Sequence, residues 1–366
     1  MIAIAIKQIL QIRKVFNMSR FNYHKAIKDT GEILDDKKIA VEHGKYTYLK
    51  CKWQTAKKQS KGIADGFKVL EGHEKRSEYI ANCAEQLGFS SCPNGHYKKL
   101  KWANFCGQRL CPICQWRRSL KTFGIVSTIY QHIEEKYNPD TYKALMVTLT
   151  IRNCKPDDLK STNSKLLSKF ARLFDCTKRN LPFPVRGYFR ALEVTYNRKK
   201  HNFHPHIHAL ILVSKKDYSK YFAKKIIMET QNKLSKKWAK LLGEDVAFCH
   251  IQRMYNSQLK MIAEVAKYAT KPSSYIKLNK DTDSYYVDSE TLKHIHDGVF
   301  RLRLTTYGGL FKDVKKELAL QDADAENADL INVDEKQKHI ENCPHCQAKL
   351  QDQLYKWNYK FGVYIG

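Results

Sequence analysis

The stretch from His204 to Val213, HPHIHALILV, places three histidines at alternate positions ahead of an apolar run. On a β-strand successive side chains alternate faces, so His204, His206 and His208 share one face. Imidazoles in that arrangement suit a divalent metal, because the neutral ring is a common ligand. The same letters recur in His294-Ile295-His296, but in a polar setting with no apolar run behind them. In a helix those two rings point to different sides, and the pair is read as surface. The strand before the histidines, GYFRALEVTYN, carries Glu193 and leads into them across a short basic turn, as hairpin partners do. Glu193, His206 and His208 would leave coordination positions open for phosphate oxygens, and mixed O/N ligation suits Mg2+ or Mn2+. The competing reading pairs Glu193 with one of the many lysines.

A second group is EVAKYATKPSSY. Glu264 and Tyr268 are four apart and share one face of a helix. Tyrosine is a weak nucleophile at neutral pH because its reference pKa is about 10; it attacks phosphorus usefully when a metal polarises the phosphate. Such an attack would give a 5′-phosphotyrosine. Lys267 and Lys271 flank Tyr268 and are candidate phosphate contacts. Tyr275 joins the same face only if the helix continues past Thr270, which Pro272 opposes.

A third group is a cysteine cluster. Cys106, Cys111 and Cys114 are spaced as three thiolates of a tetrahedral zinc site, with Cys83 or Cys92 as fourth ligand and His96 a weaker option. Arg117 and Arg118 follow at once and are expected to project toward phosphate. Cys343 and Cys346, in CPHC, make half a site whose partners the sequence does not reveal.

Stepping along the chain, YKALMVTLTI reads as a buried strand and LKSTNSKLLSKFARLFD as a helix. Two strands carry Glu193 and the histidines. One long amphipathic helix is expected over YSKYFAKKIIMETQNKLSKKWAKLL, then a strand at VAFCHIQRM and a helix at QLKMIAEVAKYATK. The order β-α-β-β-α-β-α predicts an α+β fold, an antiparallel sheet with helices mainly on one face. Expected regions are a basic N-terminal part (1–80) with no assignable chemistry, a zinc-binding cysteine cluster (81–120), a catalytic domain (140–276), a basic DNA-binding or accessory segment (277–316), and an acidic linker with the CxxC tail (317–366).

The 366 residues carry 65 Lys and Arg against 37 acids, a formal net charge of +28. That excess points to a polyanionic partner, nucleic acid first and an anionic membrane surface second. No apolar run is long enough to span a bilayer, and the opening MIAIAIKQILQIRKVF is a poor signal peptide. Eleven cysteines, several in C-x-x-C pairs, fit metal thiolates in a reducing cytoplasm better than disulfides.

VTLT, then LEVTYN with HPHIHALILV, then EVAKYATK and RLRLTTYGGLFKDVKKEL resemble, in that order, the rolling-circle replication initiators of small Gram-positive plasmids, members of the HUH endonuclease superfamily. The resemblance runs from about Cys83 to Leu318. It implies that His206 and His208 are metal ligands, that Tyr268 is the nicking nucleophile and that Glu264 activates the water that ends a replication round. Other HUH branches use a second tyrosine, the role Tyr275 would take. The implied fold is a nucleotidyl-transferase sheet of ferredoxin-like plan. Initiators of this type have a similar cysteine pattern, whose first member corresponds best to Cys83. The implied partners are plasmid origin DNA, double-stranded and as a nicked single strand, with a host helicase and replication machinery; a homodimer is compatible, and no membrane is implied. Two alternatives are an HUH transposase or relaxase, against which the EVAKY spacing and YGGL argue, and a zinc-containing DNA-binding regulator without catalysis.

Overall fold

A computed structural model describes residues 48–49, 52–137, 141–175, 180–253, 258–266, 272–325, 328–333 and 340–366. In chain order it gives β1 (Tyr48–Leu49), α1 (Lys52–Lys68), α2 (Glu74–Ala81), β2 (Gln86–Ser91), β3 (Lys98–Ala103), α3 (Pro112–Tyr137) and β4 (Tyr142–Thr150). These are followed by α4 (Leu159–Leu173), β5 (Gly187–Asn197), β6 (Asn202–Ser214), α5 (Lys215–Phe222), α6 (Ile227–Leu242), β7 (Cys249–Arg253), α7 (Gln258–Val265) and α8 (Pro272–Tyr275). The remainder is β8 (Lys277–Asn279), β9 (Ser284–Tyr286), α9 (Ser289–Val299), β10 (Thr305–Gly309), α10 (Leu310–Glu317), β11 (Gln351–Asn358) and β12 (Val363–Ile365).

The central sheet has the order β10-β5-β6-β4-β7, and its neighbours all run antiparallel. The expected hairpin is β5–β6, in register from Gly187↔Leu212 to Asn197↔Asn202. Its turn is set locally: the Asn197 side chain accepts from the Lys199 and Lys200 amides at 3.1 and 3.2 Å, and His201 takes a left-handed φ of 48°. The edge strand β10 can approach β5 because Gly308 lies flat on Tyr188; a Cβ there would sit 2.3 Å from that ring. Gly309 then turns into α10 at φ 52°.

The α+β class and the antiparallel sheet stand as expected. The placement of helices mainly on one face does not. Leu145, Val147, Ile207, Ala209 and Ile211 share a core with Leu166 and Phe170 of α4 and Leu234 and Trp238 of α6. Met146, Phe189, Leu210 and Leu212 share a second core with Ile125 and Ile129 of α3, Ile262 and Val265 of α7 and Phe311 and Val314 of α10. The physical reason is visible in Ala209–Val213, which is apolar at both parities and therefore buried on both faces.

The single long helix expected after β6 is two. Ser214 caps α5 by accepting from the Asp217 amide at 3.1 Å. At the break, the Thr230 hydroxyl donates to the Tyr221 carbonyl at 2.7 Å, and the extended Ala223 offers its carbonyl to the Ile226 and Ile227 amides that open α6. The His294-Ile295-His296 segment is helical, in α9. The ring of His294 lies toward Asp157 and Glu290, while His296 is half-buried, edge-on to His73 and Phe67.

A second sheet, β1-β12-β11-β2-β3, joins the C-terminal hairpin to the strands of the cysteine-rich region. The segment read as an acidic linker also packs: Ala323 and Leu330 are buried. From the basic N-terminal region, α1 places Trp53, Ile63 and Phe67 in the main core.

Candidate metal centre and thiol cluster

Three groups at the mouth of the central sheet converge. Register places Glu193 directly opposite His206, and Thr148 opposite His208. One Glu193 carboxylate oxygen stands 3.7 Å from Nε2 of His206 and 3.4 Å from Nε2 of His208. Each ring's other nitrogen is engaged. Nδ1 of His206 is 3.2 Å from the His204 carbonyl, to which it can only donate, and Nδ1 of His208 is 3.0 Å from the Thr148 hydroxyl. Occupied Nδ1 atoms fix the rings and turn Nε2 toward the carboxylate, as in metal-bound histidines. His204 shares the face but turns its Nδ1 to Asn153 at 2.7 Å. Burial pushes the Glu193 carboxyl up, yet His206 and His208 more than reverse this and hold it well below the usual carboxylate range. The three ligand atoms lie within 4.8 Å of one another, a set that fits a divalent cation with open positions.

A cavity of about 420 Å³ adjoins Glu193 and is also lined by Glu264, Pro272 and Ser273, by Lys52 and by Trp116. Glu264 sits near the end of α7. Tyr268, Lys267 and Lys271 lie outside the described residues, but the stretches before and after them, through Glu264 and through Pro272 and Ser273, both line this cavity. Tyr275, the alternative second tyrosine, is 3% exposed in the main core. Pro272 opens α8 as a separate helix, so Tyr275 does not continue the face of Glu264.

Lys52 was not singled out by sequence reasoning, since one lysine among 65 basic residues carries no signal. Its Nζ lies 4.8 Å from the centre of the Trp116 ring, and burial, then the nearby Arg117, lowers its pKa. Thr148 had a signal: a hydroxyl in VTLT, at the strand's alternate, polar parity.

The thiols of Cys83, Cys106, Cys111 and Cys114 form one group, with Cys114 Sγ 3.6 Å from Cys83 Sγ and 3.7 Å from Cys106 Sγ. Tetrahedral zinc with bonds of about 2.3 Å separates its sulfurs by roughly 3.8 Å, so the group fits zinc. Cys83 is therefore the fourth member. Cys92 and His96 lie elsewhere, beside Cys343 and Cys346. The cluster fixes the start of α3, from which Trp116 reaches the cavity.

Arg117 does not project to phosphate. It is 3% exposed, packs against Trp53 and Trp116, and donates from Nε to the Leu330 carbonyl at 2.9 Å. Arg118 donates to the Gly107 and Gln108 carbonyls, bracing the cysteine loop. An arginine flanking a zinc knuckle is ambiguous in sequence, and here the carbonyls of two loops claim both.

The family model described as replication protein matches residues 97–365. The chain is 30% identical over 320 residues to Protein rep of Bacillus amyloliquefaciens, covering 81% of this chain and 90% of that protein. It is 32% identical over 285 residues to Protein rep of Streptococcus pneumoniae, covering 76% and 82%. The chain belongs to the Rep family of Gram-positive plasmid replication proteins. A Rep protein initiates plasmid replication and binds DNA at the origin. No solved structure matches significantly. Among the described residues, no helix is long and apolar enough to cross a membrane.

Thiolate ligation couples metal to folding. Replacing Cys111 and Cys114 with serine is therefore expected to remove one zinc per chain and to lower the unfolding temperature; metal analysis and thermal melting check this, and unchanged metal content contradicts it.

Proposed function

We propose that this Rep protein is a metal-dependent, site-specific DNA nickase and strand transferase of the HUH type. It cuts one strand at the double-strand origin through a 5′-phosphotyrosine on Tyr268, starts rolling-circle replication and rejoins the strand at termination. One observation carries the reading: Glu193, His206 and His208 converge with both Nδ1 atoms held, beside a cavity lined by the residues that bracket Tyr268. The central sheet supports an HUH nucleotidyl-transferase plan, with β5 and β6 as its middle hairpin.

Bound Mg2+ or Mn2+ would polarise the scissile phosphate and offset the charge that develops on it. The Tyr268 hydroxyl attacks phosphorus, its oxygen forms the new ester, and the bond to the 3′ oxygen breaks to release a 3′-hydroxyl. That hydroxyl primes host synthesis, with a host helicase opening the duplex. The phosphotyrosine keeps the ester for rejoining without ATP. Lys52 at the cavity wall, with Lys267 and Lys271, would hold the phosphate backbone. Residues 140–276 carry the chemistry, 81–120 the zinc-bound support, and 277–316 and the N-terminal region contact DNA. A non-catalytic zinc regulator is the second reading, and it leaves the convergence of Glu193 with two oriented imidazoles without a purpose.

Conversion of supercoiled origin plasmid to open circles with Mg2+ or Mn2+ tests this; a chain that binds but never nicks fits the regulator instead. The second step has its own test. Glu264 lines the same cavity as Glu193, where its carboxylate could take a proton from the water that ends a round. Glu264→Ala is expected to nick at close to the normal rate but to terminate poorly, giving over-long single-stranded products from a plasmid with a second origin copy as terminator. Unit-length circles at the wild-type level would return Glu264 to an ordinary charged side chain.

A further inference from the structure

We propose a second structural zinc site, formed by Cys92, His96, Cys343 and Cys346, that staples the C-terminal hairpin to the tip of the β2–β3 hairpin. The four ligand atoms lie within 4.8 Å of one another, and Cys92 Sγ is 3.5 Å from Cys346 Sγ across 254 residues of chain. Three thiolates and one imidazole are a common tetrahedral zinc set.

Both contributing loops are built as knuckles. In Cys92-Pro93-Asn94-Gly95-His96 the Cys92 carbonyl accepts from the Gly95 amide at 2.9 Å, and the Cys92 amide donates to the Tyr97 carbonyl at 2.7 Å. In Cys343-Pro344-His345-Cys346 the Cys343 carbonyl accepts from the Gln347 amide at 2.9 Å, and its amide donates to the Ala348 carbonyl at 2.8 Å. Each loop begins Cys-Pro, folds back on its first cysteine and passes through a left-handed residue, Gly95 at φ 74° and Gln347 at φ 60°.

Apolar packing does not explain why these loops meet. In residues 92–97 only Cys92 is buried, and in 340–350 only Cys343 is. Pro93, Asn94, Gly95, His96, Pro344 and His345 are all exposed. The β2–β11 pairing and the buried Tyr355 bring the two strands together, but the knuckles themselves bury only Cys92 and Cys343, and ordering them costs entropy that a metal can offset. The strand register agrees, since β11 pairs with β2 starting at Gln351↔Ser91, next to both knuckles. The β2–β3 hairpin would then hold a metal at each end: four cysteines at its base, and three cysteines with His96 at its tip.

A Cys92–Cys346 disulfide is the competing use of the same atoms. Metal analysis of the purified full chain decides between them. The wild type is expected to carry two zinc ions, and Cys343→Ser/Cys346→Ser one, with its C-terminal hairpin newly open to protease. One zinc in the wild type, two retained in the tail variant, or a wild-type mass short of two hydrogens at Cys92 and Cys346 overturns the proposal. Should the tail variant fail to fold, cobalt loading of the wild type still decides: two equivalents with thiolate-to-cobalt absorption are expected, and saturation at one is contrary.

Discussion

Replacing His206 and His208 together with alanine is expected to abolish nicking of an origin plasmid while leaving duplex binding nearly intact. The two Nε2 atoms face one Glu193 oxygen at 3.7 and 3.4 Å, so the double variant removes two of three ligands. A catalytic metal contributes several kcal/mol of transition-state stabilisation, and each 1.36 kcal/mol is tenfold in rate. The expected loss is therefore roughly 10³-fold or more. Binding should survive because the excess of 65 basic over 37 acidic residues supplies phosphate contacts across the whole chain. His206 and His208 are largely buried beside Glu193, so the double variant leaves that carboxylate without partners and should also lower the melting temperature; nicking is therefore measured at a temperature where the variant is folded. Gel-based nicking and binding titrations on one protein preparation measure both effects. Full nicking by the double variant with Mg2+ or Mn2+ present would falsify the metal assignment.

Removing one oxygen should have an equally large effect. Tyr268→Phe keeps the ring and is expected to bind origin DNA, retain its metals and leave the plasmid supercoiled. Without the phenolic oxygen no ester to the protein can form, and only water remains as nucleophile. Glu264→Ala and Tyr268→Phe should thus fail at different stages, one at termination and the other at the first cut. Cleavage by Tyr268→Phe at the wild-type rate would mean that another residue attacks phosphorus; the burial of Tyr275 makes it a poor substitute.

The candidate centre was legible because its signal is strictly periodic. His206 and His208 recur every second residue on a strand, and Glu193 stands on the strand just before, so a hairpin must bring them together. The β-α-β-β-α-β-α order was legible for the same reason. Helix coverage of both sheet faces was readable in the unbroken run Ala209–Val213, but the element order β-α-β-β-α-β-α points to helices mainly on one face. The split between α5 and α6 rests on the Thr230 hydroxyl reaching a carbonyl nine residues earlier and on the extended Ala223, whose carbonyl takes the first amides of α6. Nothing periodic announces these contacts. Spacing left Cys83 or Cys92 as fourth member of the first thiol cluster, with His96 a weaker option; the family resemblance favoured Cys83, and the fold groups Cys83 with the other three. The partners of Cys343 and Cys346 were unreadable because they lie some 250 residues away, across a sheet whose pairing no local pattern encodes.

The central claim is a covalent protein–DNA intermediate on Tyr268. Origin DNA cut in the presence of Mg2+ or Mn2+, denatured, digested with nuclease and protease and read by mass spectrometry tests it directly. The account predicts a nucleotide joined through its 5′-phosphate to the peptide containing Tyr268, absent from Tyr268→Phe. Nicked DNA bearing a free 5′-phosphate with no modified peptide, or a nucleotide on a different residue, would contradict it.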